Sequence, residues 1–277
     1  MEITTMTLEQ ARAQMAFNEW NQRQDVVILD TETTGLYDAE ICEISVIDRE
    51  GNVLLDTLVK PKKTIPEEAT RIHGITNKMV ENAPSWPEVW EKLYPIIRDK
   101  LVLIYNAEFD IRLMAESFEP YMDNPFEETE QIKQVSSIQS ACVMRTYADL
   151  VGSHKWLKLT EAVGRQIAHR ALDDCRATME VVRKCYDPYF TKETLQKLER
   201  WHELEQISKR IRYLSYRMKE LAEEQADLLK KQKELQKQLI LEIEPETKKE
   251  TAATVADAPF ADDDGIPIDI SDDDLPF

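Results

Sequence analysis

Asp30-Thr31-Glu32-Thr33-Thr34-Gly35 follows directly on the apolar run Val26-Val27-Ile28-Leu29, and this junction decides how the rest of the chain is read. On an extended segment the side chains of residues i and i+2 share a face, so Asp30 and Glu32 aim at one point in space. Two carboxylates at the end of a hydrophobic strand are costly to bury unless something positive meets them, and no Lys or Arg stands beside them in the chain. A divalent cation, which takes oxygen ligands, supplies that charge.

Upstream of the junction, residues 8–23 read as an amphipathic helix with Thr7 as its cap and Leu8, Ala11, Met15, Phe17 and Trp20 on its apolar positions. Downstream, a strand over 25–31 gives way to a turn at Gly35-Leu36-Tyr37-Asp38. Two further strands, 41–48 and 53–59, are joined by the hairpin turn Arg49-Glu50-Gly51-Asn52, so the sheet opens as an antiparallel meander. Thr76-Asn77 starts a short helix, and Ser85-Trp86-Pro87-Glu88 starts a longer one running to about Arg98. The wholly apolar run Leu101-Val102-Leu103-Ile104-Tyr105 reads as a strand covered on both faces. A helix continues from Asn106 through Leu113, Met114 and Phe118. Residues 120–137 read as a polar loop with a short helix, and 140–150, 158–163 and 171–186 read as helices. Strands first, then strand and helix in alternation, predict an α/β fold with a mixed sheet flanked by helices.

The formal net charge is −18 over 277 residues, and 12 acids against Lys248 and Lys249 place −10 of it beyond residue 240. A simple basic-patch argument for nucleic-acid binding therefore fails on the overall number. Cys42, Cys142, Cys175 and Cys185 form no Cys-x-x-Cys pair and no disulfide framework, which fits reduced thiols and a cytoplasmic location. With no basic-flanked apolar leader and no bilayer-length apolar run, the expectation is an unprocessed protein with no membrane partner.

Asp110 follows the buried strand, and His169-Arg170-Ala171-Leu172-Asp173-Asp174 opens the last of these helices, so a loop histidine and a first-turn acid can face one cleft. Asp-x-Glu-Thr-Thr-Gly, His73-Gly-Ile75-Thr, Asn106-Ala-x-Phe109-Asp110 and His169-Arg-Ala-x-x-Asp174, in this order and at this spacing, resemble the DEDDh 3'-5' exonucleases related to the epsilon proofreading subunit of bacterial DNA polymerase III. The resemblance covers residues 25–187 and implies a ribonuclease H-like fold. It implies two Mg2+ or Mn2+ ions held by Asp30, Glu32, Asp110 and Asp174, with His169 as general base. Thr33, Leu36, His73, Ile75, Asn106 and Phe109 would meet the terminal nucleotide, and Tyr105 stands where the family often has His. Phosphate contacts are expected among Lys60, Lys62, Lys63, Arg71, Lys78, Arg165 and Arg170. The implied activity is removal of nucleotides from 3' ends of single-stranded DNA; trimming of RNA 3' ends is the alternative within the class.

Beyond Pro188 the pattern changes. Leu204, Ile211 and Met218 occupy one heptad core position, continuing through Gln225 and Gln232 to Leu239; Ile207, Leu214, Leu221, Leu228 and Leu235 occupy the other. This coiled-coil pattern points to homodimerisation, or to a helix folded back on the nuclease. Residues 245–277 are expected to be disordered, and their tip Asp272-Asp273-Asp274-Leu275-Pro276-Phe277 resembles the acidic tip of bacterial single-stranded-DNA-binding proteins. Such a tip docks on replication and repair proteins, so the chain could also act chiefly as an adaptor; a merely solubilising tail is the plainer reading. The expected organisation is an N-terminal helix (1–24), the exonuclease domain (25–187), a helical coiled-coil segment (188–244) and the acidic tail (245–277).

Overall fold

The computed structural model describes residues 6–124 and 129–250, with side chains to residue 241. In chain order the elements are α1 (Leu8–Gln22), β1 (Val26–Thr33), β2 (Ile41–Asp48), β3 (Val53–Leu58), α2 (Glu67–His73), α3 (Asn77–Val80), α4 (Trp86–Ile97), β4 (Leu101–Ile104) and α5 (Ala107–Glu116). After a 3-10 turn at Glu119–Tyr121 come α6 (Glu130–Ser136), β5 (Ser140–Cys142), α7 (Val143–Val151), α8 (Leu159–Val163), α9 (Ala171–Lys184) and α10 (Lys192–Glu250).

The five strands form one sheet in the order β3-β2-β1-β4-β5. β1 runs antiparallel to β2 and parallel to β4, so the meander and the parallel half meet on β1. Alternation along β1 divides the core between the two faces of the sheet. Val27 and Leu29 join the aromatic layer of Trp86, Trp90 and Phe118 on one side; Val26 and Ile28 join Phe17, Val181 and Val182 on the other. Carried forward by the same period, Asp30 and Glu32 lie on the α9 face, with Thr31 on the α5 face.

α1 starts where Thr7 accepts the amide of Gln10, and a capping box closes that end. Its buried polar side chains, Gln14 and Asn18, donate to the carbonyls of Cys185, Asp187 and Phe190, which ties the helix to the segment after α9. Two expectations are corrected. Residues 140–142 are not helical: they pair with β4 as the edge strand β5, and α7 begins at Val143. Three residues are too short to show a period of their own, so pairing decides them. Residues 67–73, read without an element, form α2, which ends at Gly74 in the left-handed region (φ 76°) that glycine adopts freely.

The described residues fall into two compact units, one running to Gln206 and one beginning at Ile207. In the second, α10 leaves its heptad residues open to solvent: Ile211, Leu221 and Leu235 are each more than half exposed. No helix among the described residues is long and apolar enough to cross a membrane.

Candidate active site

At the C-terminal end of β1, first-turn acids from helices on both faces of the sheet converge on the two β1 carboxylates. Asp30, Glu32 and Asp174 each offer a carboxylate oxygen, and the three atoms lie within 4.8 Å of one another. Asp110, from the first turn of α5, is buried and accepts a 2.7 Å hydrogen bond from the Thr31 hydroxyl. It stands apart from that triad but close enough that its charge weighs on Asp30. His169 sits at the rim with its side chain 46% exposed, in a left-handed conformation (φ 48°), and its Nδ1 lies 4.0 Å from Asp174 Oδ2.

Burial and mutual repulsion leave these acids reluctant to ionise. Burial, then the charges of Asp110, Asp174 and Glu32, hold the Asp30 carboxyl well above the usual range. Burial, then the charges of Asp174, Glu43 and Asp110, push Glu32 up to about 9, and burial raises Asp110 to about 7 and Asp174 to about 6. Asp174 Oδ1 is buried without a hydrogen-bond partner. An all-oxygen donor set, net negative and with an orphaned buried carboxylate oxygen, fits a hard divalent cation.

Other expected contacts are distributed unevenly. Leu36 is 67% exposed on its turn, and its carbonyl accepts from Arg112. Phe109 is partly buried against the core with Arg112 stacked on its ring, and Asn106 precedes α5 with its side chain making no cap bond. Thr33 spends its hydroxyl on the Gly35 carbonyl. The His73 ring is buried: Nδ1 accepts the Ile75 amide, and Nε2 lies 3.3 Å from the Thr33 carbonyl. Ile75 is wholly buried with Ile65, Ala69 and Val80. Asp272, Asp273, Asp274, Leu275, Pro276 and Phe277 lie outside the described residues.

Of the basic residues, Arg71 pairs with Glu68 and Arg165 with Glu180, while Lys60, Lys62, Lys63 and Lys78 line one open cleft of about 400 Å3. That lysine loop is tied to the end of β1 through the buried Glu40, whose carboxylate accepts the amides of Lys62 and Lys63. Arg170 is not free for phosphate. Its guanidinium grips Glu43 of β2 through Nε and Nη2, and the Ala171 amide donates to the same carboxylate at 3.0 Å. Sequence reading passed over Glu43 and Glu40. The signal for Glu43 was present: an acid inside the apolar run Ile41–Ile47 requires a partner.

The RNase T exonuclease model matches residues 27–182, which hold every group of this site. The chain belongs to that exonuclease family. It is 40% identical over 196 residues to the uncharacterized exonuclease CP81 of Escherichia phage 186, across 66% of this chain and 95% of the phage protein. It is 30% identical over 109 residues to the DNA polymerase III epsilon subunit of Buchnera aphidicola, across 35% of this chain and 47% of that one. PolC-type DNA polymerase III of Thermotoga maritima is 34% identical over 161 residues, which span 56% of this chain but 11% of that protein. Among solved structures, Exonuclease X in complex with 5' overhanging duplex DNA matches with a TM-score of 0.42 and 24% identity, covering 62% of this chain and 98% of that one. This exonuclease has the mixed, helix-flanked sheet expected from its sequence.

Proposed function

We propose that this exonuclease releases nucleoside 5'-monophosphates from the 3' ends of single-stranded DNA, using divalent cations and His169 as general base. The observation that carries the reading is the convergence of carboxylate oxygens of Asp30, Glu32 and Asp174 within 4.8 Å of one another. Asp30, Glu32, Asp110 and Asp174 would hold the ions. Bound Mg2+ or Mn2+, two ions in the full site, supplies Lewis-acid stabilisation to the attacking and leaving oxygens of an in-line displacement at phosphorus.

The chain's own groups do the rest. Thr31 fixes the rotamer of Asp110, so that one acid is oriented before substrate arrives. His169, half in solvent, takes the proton of the attacking water as general base. Asp174, 4.0 Å from Nδ1, favours the imidazolium that results. Leu36, on the turn after β1, and Asn106 and Phe109, at the start of α5, are the residues open enough to meet the terminal nucleotide.

The test is a digestion with Mg2+ or Mn2+ of oligonucleotides labelled at the 3' or the 5' end, as single-stranded DNA, duplex DNA and RNA. Early release of the 3' label as a mononucleotide from single-stranded DNA is expected. Early release of the 5' label removes the directional claim, and faster loss from RNA reassigns the substrate.

A second reading concerns assembly. The exposed heptad face of α10 favours pairing with a second copy of the chain, and Leu221→Asp would then lower the solution mass from dimer to monomer while digestion continues. The acidic tip is proposed to recruit replication or repair proteins; deletion of residues 275–277 would abolish that capture and spare digestion.

A further inference from the structure

Glu32 and Glu43 are cross-strand neighbours in the β1–β2 register, so their side chains stand side by side on the face that α9 covers. Among the described residues, Glu43 is the one of the two in an ion pair. The Glu43 side chain is 4% exposed and accepts three donors from the start of α9: Arg170 Nε, Arg170 Nη2 and the Ala171 amide. Arg170 stands immediately after His169 and four residues before Asp174, and its charge reaches Glu32 as well as Glu43. A guanidinium carried on that loop is the natural competitor for a divalent cation at Glu32.

We infer that Glu43 is a positioning residue that sequesters Arg170, keeping the carboxylates of Asp30, Glu32 and Asp174 open to a divalent cation. The inference rests on reading those carboxylates as a cation site. In the folded chain Glu43 satisfies the guanidinium in a bidentate grip and caps the amide of Ala171, so Arg170 has no reason to turn toward Glu32. Without the Glu43 charge, the carboxylates left within reach of the guanidinium's charge are Asp56 of β3 and Glu32, and Glu32 is the one that belongs to the cation site. The arginine would then neutralise a ligand from within.

The measurement is calorimetric titration of Mn2+ into the cation-free full-length protein, with circular dichroism and thermal melts confirming that each variant is folded. Glu43→Gln is expected to weaken Mn2+ binding by about tenfold or more, the usual scale for loss of a group that supports a metal ligand. Glu43→Gln combined with Arg170→Gln restores the original net charge, removes the competitor, and is expected to return the affinity to the wild-type range. Arg170→Gln alone is expected to bind Mn2+ at least as tightly as wild type, and it decides the matter should Glu43→Gln not fold. Wild-type affinity in Glu43→Gln, a double variant as weak as that single, or weakened binding in Arg170→Gln overturns the inference. Failure of the wild type to take up Mn2+, or uptake unchanged in Asp30→Asn, overturns the cation-site reading and this inference with it.

Discussion

Glu32 and Glu43 are the same residue type, on adjacent strands, facing the same helix, and they behave in opposite ways. Glu43 is enclosed by donors and is a structural anion. Glu32 stands among Asp30 and Asp174, and burial, then the charges of Asp174, of Glu43 and of Asp110, push its carboxyl up to about 9. The difference comes from the loop before α9, which delivers one arginine and one amide to Glu43 and neither to Glu32. A fold stabilised at one carboxylate and strained at its neighbour has left the second available for an external cation.

The largest effect expected is on chemistry, on the strained side of this pair. Asp30→Asn should lower the digestion rate on the order of 10^3-fold, the value of several kcal/mol of lost transition-state stabilisation, with the melting temperature in EDTA unchanged or raised. On the satisfied side, Glu43→Ala strands Arg170 and the Ala171 amide. Because Arg170 is 41% exposed, the cost should fall below that of a fully buried pair, at about 2–4 kcal/mol by urea denaturation.

Titration separates the two further. The folded state holds protons on Glu32, Asp110 and Asp174 that the unfolded chain gives up near 4, so the cation-free protein binds more protons folded than unfolded between about pH 4 and 9. Raised folded-state values contribute stability that is complete at the acid end and is lost as pH rises through about 6, 7 and 9. The melting temperature in EDTA should therefore fall across this window, and Mg2+ should recover more of it at pH 9 than at pH 6. Glu32→Gln should be close to neutral near pH 4 and increasingly stabilising from there up to about pH 9, whereas Glu43→Ala should destabilise at both ends of this window. A cation-free protein that gains stability from pH 6 to 9 would remove this account of Glu32. The smallest effect is expected at Thr31→Val, about 1 kcal/mol for the lost bond to Asp110, read in the same melts.

Much of this was legible in the chain. The run Val26–Leu29 ending in Asp30 and Glu32 marked a strand with two same-face acids because the period of a strand is fixed by geometry. The hairpin at Arg49–Asn52, the capping box at Ser85 and Glu88, and the first-turn acids of α5 and α9 were likewise written locally. What escaped reading lacked a local signature. β5 is three residues long and exists because β4 offers it an edge; α2 is a short helix that ends where Gly74 turns the chain. Arg170 read as a phosphate contact because nothing in its neighbourhood of sequence reveals Glu43, 127 residues away.

The sequence by itself determined which residues carry oxygen ligands, which faces of β1 they occupy and the order in which four short motifs follow one another, since all of these depend on side-chain chemistry and backbone period. Only the tertiary structure decided that the oxygens of Asp30, Glu32 and Asp174 come within 4.8 Å of one another, that Asp110 takes its orientation from Thr31, and that Arg170 belongs to Glu43. Those assignments depend on where α5 and α9 are seated over the two faces of the sheet. That seating is set by the packing of Phe17, Val181 and Val182 on one side and of Trp86, Trp90 and Phe118 on the other.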